Sequence, residues 1–232
     1  QNSTGGSFTD CTFTGNESGN TGAGLHAANN SSPVLEGCSF VNNNSVTSGG
    51  AVANSGASSV FMNCNFSGNS AQGGGAILNA FSASASFTSC TIIGNTASSQ
   101  GGGVYTAGSV STFTNCVIAG NSANNSGGGI YNQTSTSSTW KFSLVNCTVS
   151  GNSAGFNGGG GIHTNASGAF AAASELTNTI IWNNRSTGST SSPEASIKFV
   201  DTAEIDYVHS LVEHFDLSGV GNPERSTLMV TK

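Results

Sequence analysis

The sequence predicts an all-β solenoid: a single parallel β-helix of about eight coils with a repeat of roughly 26 residues. Three observations point there: a cysteine that returns at a near-constant interval, large apolar residues at fixed offsets on both sides of it, and a glycine-rich run inside every interval. The cysteines are Cys11, Cys38, Cys64, Cys90, Cys116 and Cys147, separated by 27, 26, 26, 26 and 31 residues. Leucine-rich repeats share this length but require several leucines in fixed order, and no LxxLxL occurs.

Each element of the repeat has a physical reason. Three residues before the cysteine stands an apolar side chain, Phe8, Leu35, Phe61, Phe87, Phe113 or Leu144, and two residues after it stands another, Phe13, Phe40, Phe66, Ile92, Ile118 or Val149. Such short apolar segments, without helical spacing, read as strands that bury one side only when coils stack. Five residues after the cysteine comes an asparagine: Asn16, Asn43, Asn69, Asn95, Asn121 and Asn152, with Asn184 continuing the row where Thr179 stands in the cysteine's place. These positions read as a corner at which stacked amides hydrogen-bond along the axis and satisfy turn backbone. A glycine or alanine run then ends in an aliphatic residue, Leu25, Val52, Ile77, Val104, Ile130 or Ile162. The glycines mark a bend where positive φ or close backbone approach leaves no room for Cβ. The expected coil is three strands joined by turns. The helix is expected over residues 1–222, with 223–232 as a C-terminal tail.

Composition narrows the function. Hydrophobic residues make up 35% and charged residues only 7%, against roughly 25% charged in ordinary soluble domains. Residues 1–140 contain no Lys or Arg, and their only acids are Asp10, Glu17 and Glu36. All five Lys and Arg lie in residues 141–232 beside eight acidic residues, so no basic patch is available to meet phosphates and a nucleic-acid partner is not expected. No run of about 18 apolar residues exists to span a membrane as a helix. The chain opens on Gln1, which reads as a mature form from which a secretion signal has been removed.

The glycine motif reads SGGAV at 48–52, GGGAI at 73–77, GGGVY at 101–105, GGGIY at 127–131 and GGGIH at 159–163; the asparagine motif reads FTGN, FVNN and FSGN, relaxing to IIGN, IAGN and VSGN. Over residues 7–215 this pairing resembles the GGAI and FxxN repeats of chlamydial polymorphic outer-membrane proteins and the wider right-handed β-helix repeat family of bacterial surface proteins. The resemblance implies a right-handed coil and a secreted or cell-surface location. It leaves function open among adhesins, passengers and structural proteins.

Candidate chemistry is sparse. The six cysteines read as a ladder of free, buried thiols, because parallel side chains along an axis suit neither the convergence of a metal site nor the dihedral of a disulfide. The residue after each aliphatic runs His26, Ala53, Leu78, Tyr105, Tyr131, His163 and Lys198, and alternation points it outward. Tyr105, Tyr131 and His163 then form a strip with two readings: a surface that holds a sugar ring, or a cross-strand aromatic row that stiffens the sheet. The only dense ionisable group is Asp201, Glu204, Asp206, Glu213, His214 and Asp216, read as a solvated end of the rod. No catalytic residues, metal site or cofactor are expected.

The rod's ends suggest assembly. Only QNSTGGS precedes the first core residue, Phe8, and STLMVTK at the other end reads as a spare strand. Leu228 and Val230 are expected to dock beside Phe8 and Phe13 of a neighbouring copy, giving a head-to-tail homopolymer. The reading is a non-enzymatic extracellular structural or adhesive protein, with self, glycans or cell-surface matrix as partners. A monomeric glycan-binding adhesin is the first alternative, and a polysaccharide lyase-like enzyme is the second.

Overall fold

The structure, a computed structural model, describes residues 5–134, 141–155, 157–166, 173–187, 197–201, 204–212 and 215–216. Among them every regular element is a short β-strand, and every strand pairing is parallel and joins equivalent positions of successive repeats. Each coil has four strands, not the three expected, and the strands stack into four sheets. In the first coil, sheet A begins with Ser7–Thr9, sheet B with Thr12–Thr14, sheet C with Glu17–Ser18 and sheet D with Leu25–Ala28. Sheets A, B and D have eight strands and sheet C seven. Seven coils are thus complete, against about eight expected, and three strands represent one more.

The additional strand arises because the asparagine corner and the glycine corner are separate bends, with a sheet C strand as short as two residues between them, as at Asn44–Ser45 and Ser122–Ala123. Among the described residues the corners use left-handed backbone. Between sheets A and B the turn residue just before each cysteine has positive φ, for example Asn63 at 53° and Asn115 at 56°. Between sheets B and C it is the residue before the ladder asparagine, for example Gly94 at 66°. Asparagine and glycine dominate there because they tolerate this conformation at least cost.

The core is a set of in-register columns. Phe13, Phe40 and Phe66 stack with ring centroids 4.6 and 5.0 Å apart, and Phe61, Phe87 and Phe113 stack at 4.8 and 4.7 Å. The two columns meet edge to face, as at Phe61 and Phe66, 5.7 Å apart. Ile77, Val104, Ile130 and Ile162 close the interior from sheet D, and all are buried. No coil has such a core alone; contacts across the coil are completed by equivalent side chains stacked above and below.

Candidate functional site

Two of the predicted rows lie inside the wall. At the corner between sheets B and C, the Asn43 backbone N–H and side-chain Nδ2 both donate to Asn69 Oδ1, at 2.9 and 3.0 Å, and Nδ2 also donates back to the Phe13 carbonyl at 2.9 Å. Asn69 repeats this with Asn95, Asn95 with Asn121, Asn121 with Asn152, and Asn152 with Asn184. An amide has two donors and two acceptor lone pairs, and each of these internal rungs uses all four. None is left for a ligand. Asn16, the first rung, is exposed and donates forward to Asn43.

The six cysteines are free; Cys38, Cys64, Cys90, Cys116 and Cys147 are buried, whereas Cys11, on the outermost described coil, is only half-buried. They are more than small hydrophobes. Cys64 Sγ lies between the Met62 and Leu35 carbonyls at 3.3 and 3.5 Å, and the Cys116 N–H donates to Cys147 Sγ at 3.4 Å. Thr179 and Ser210 take over these contacts in the next two coils: the Cys147 N–H donates to Thr179 Oγ1 at 3.4 Å, and the Thr179 N–H to Ser210 Oγ at 3.2 Å. The position therefore selects a small side chain that both donates and accepts. Burial pushes the Cys38 thiol up, and the thiol neighbours together with burial push Cys90 and Cys147 up, so all three stay protonated.

Of the two readings of the Tyr105, Tyr131 and His163 strip, the structure contradicts the glycan surface and favours the packed aromatic row. Leu78, Tyr105, Tyr131, His163 and Lys198 do stack in register on the outer side of sheet D. Yet Tyr131 is only 4% exposed and His163 3%. Outward direction fails to give exposure because the glycine corner between sheets C and D forms a wall beside these side chains. A Cβ on Gly49 would come within 3.2 Å of the Leu78 Cβ, and one on Gly74 within 3.2 Å of the Tyr105 Cβ. Under that wall the rings pack on each other, Tyr105 against Tyr131 at 5.3 Å and Tyr131 against His163 at 5.1 Å. Tyr105 is half-buried and donates its hydroxyl to Gln133 Oε1 at 2.6 Å. Burial pushes His163 down to about 4, Lys198 adds to the shift, and the hydrogen bond to the Gly158 carbonyl opposes it. His163 is neutral near pH 7. The strip is a small second core, not a platform for a sugar.

A further polar row was not anticipated. Two residues after five of the six aliphatics, Asn54, Asn79, Thr106, Asn132 and Thr164 point inward from the sheet D strands. Ser59 donates to Asn54 Oδ1 at 2.6 Å, Asn54 to Asn79 Oδ1 at 2.7 Å, and Asn79 to Ser111 at 2.9 Å. The fixed offset was visible in the sequence.

Comparison with known families agrees with this architecture: residues 1–149 match the model described as a right-handed β-helix region. The chain belongs to the right-handed β-helix family. No match is found among curated proteins or among solved structures.

In this β-helix the accessible lateral surface lies elsewhere. On sheet C, Asn44, Val46, Ser70, Gln72, Thr96 and Ser98 line a shallow depression of about 300 Å³. On sheet B, Ile180 and Trp182 are 46% and 40% exposed. Among the described residues no group of three or more His, Cys, Asp or Glu side chains converges on one point, and no helix is long and apolar enough to cross a membrane. Phe8 and Phe13 sit half-buried on the first coil, 5.9 Å apart. Leu228 and Val230 lie outside the described residues, as do the side chains of the acidic group from Asp201 to Asp216.

Proposed function

We propose that this β-helix is a non-enzymatic structural or adhesive rod that works outside the cell and joins end to end with other copies. The continuity of the stacking ladders carries this reading. From Asn16 to Asn152 every rung donates to the next one on its C-terminal side, and from Asn43 to Asn184 every rung's Oδ1 accepts from the one on its N-terminal side. The two edges of the stack are therefore complementary in hydrogen bonding, and the N-terminal edge adds the half-buried Phe8, Phe13 and Leu25. Such a heterologous contact repeats without closing. The low charge, the Ser, Thr, Asn and Gly content, and the resemblance of the repeat frame to bacterial surface proteins support an extracellular role.

Negative-stain electron microscopy of the purified protein tests this. Filaments many times longer than one rod, which at eight rises of 4.8 Å is about 38 Å, support the proposal. Single rods at every concentration overturn the end-to-end joining. Release of unsaturated products from an acidic polysaccharide overturns the non-enzymatic reading and favours the lyase-like alternative.

A further inference from the structure

We propose that the outer face of sheet B, centred on Trp182 and Ile180, is a contact surface for an uncharged polysaccharide. The proposal deepens the adhesive part of the reading above and rests on it. Four of the six large apolar side chains exposed among the described residues are on this one face: Ile93, Val117, Ile180 and Trp182. They fall in two in-register rows. One runs Thr91, Val117, Thr148, Ile180, and the other Ile93, Ala119, Ser150, Trp182. Ile93 and Trp182 are three coils apart, about 14 Å at the parallel-strand spacing.

The lining specifies the ligand class. From the first coil to the seventh the sheet B strands read TFT, SFV, NFS, TII, VIA, TVS and IIW, without one ionisable side chain. Each other face has some: Glu36 and Glu175 on sheet A, Glu17 and Arg185 on sheet C, Lys198 on sheet D. A charged polymer finds no counter-charge on sheet B. A sugar ring, by contrast, offers an apolar face edged by hydroxyls, and the surface offers an exposed indole and isoleucine beside threonine and serine hydroxyls. Along the border runs an exposed amide row, in which Asn146 Nδ2 donates to Asn115 Oδ1 and Asn178 Nδ2 to Asn146 Oδ1, each at 3.2 Å. The alternate, inward residues Ile92, Ile118, Val149 and Ile181 are fully buried, so the platform is held rigid before a ligand arrives.

Retention of the full chain on microcrystalline cellulose and on chitin powder, at about 1 M NaCl where charge contacts act over only about 3 Å, is the test. The expected result is depletion of the protein onto at least one polymer, about tenfold weaker for Trp182→Ala and about threefold weaker for Ile180→Ser. Phe81→Ala, which removes an exposed ring off this face, leaves retention unchanged. Thermal unfolding of Trp182→Ala at the wild-type temperature shows that the loss is one of contact. Four results overturn the proposal: no retention on either polymer, retention that Trp182→Ala does not change, retention only on alginate that salt abolishes, or a concentration-dependent dimer that Trp182→Ala abolishes, which assigns the face to a second copy. Retention is blind to filament formation and to cleavage, so failure of the rod reading and failure of this face are read separately.

Discussion

The outer sides of sheets D and B have the same alternation and opposite fates. On sheet D the outward residues Leu78, Tyr105, Tyr131 and His163 lie beside a bare glycine corner, and Tyr131 and His163 are covered. On sheet B the strands are flanked by exposed left-handed turns at residues such as Gly94 and Gly120, where a Cβ would meet nothing within 4 Å. Those turns build no wall, and Trp182 stays open to solvent. Strand alternation decides the side on which a residue stands, and the corners decide whether that side is surface.

The corners give the sharpest way to break this comparison. In Gly75→Ala the new Cβ would run into the Gly102 carbonyl oxygen and come within 2.6 Å of the Thr96 carbonyl oxygen, both backbone. The expected loss is above about 4 kcal/mol, seen as failure to fold or a collapsed urea midpoint. Gly94→Ala has open space and only the strain of φ +66°, so about 1–2 kcal/mol is expected. Equal losses would mean that the two kinds of corner are not different.

Next in size are the side chains behind the two faces. Phe66, with no exposed surface, should lose roughly 3–5 kcal/mol on substitution by alanine, and Tyr131→Ala about 3 kcal/mol, both read by urea denaturation. Protonation probes the same buried strip. His163 titrates near 4 in the folded chain and near 6.5 when unfolded, so between those values the unfolded state binds more protons. Stability should therefore be complete above about pH 6.5 and fall by about 3 kcal/mol as pH drops to 4, and His163→Gln should remove that part of the acid slope. Trp182→Ala, on the open face, should change stability by no more than about 0.5 kcal/mol.

Much of the fold was legible because the repeat writes it several times over: cysteine, phenylalanine and asparagine at constant offsets settle which positions stack, whatever the details of one coil. The fourth strand was not legible, since a pair such as Asn44–Ser45 is too short to leave any alternation. The strip at Tyr105, Tyr131 and His163 was legible in register but not in burial, because covering comes from backbone that folds beside it and leaves no pattern in the strand. The face at Trp182 escaped notice for the opposite reason. Its apolar residues Ile93, Val117, Ile180 and Trp182 come from strands where the repeat's phenylalanine has relaxed to isoleucine, so inward and outward apolar residues are adjacent in TII, VIA and IIW.

Hydroxyl-radical footprinting with peptide mapping measures the difference between the faces in a single sample. Fast oxidation of Trp182, with Tyr131 and His163 protected until denaturant is added, is the result expected from their exposures of 40%, 4% and 3%. Rapid modification of Tyr131 and His163 in the folded protein, or protection of Trp182 in the isolated rod, would contradict the assignment of sheet D as a covered face and sheet B as the open one.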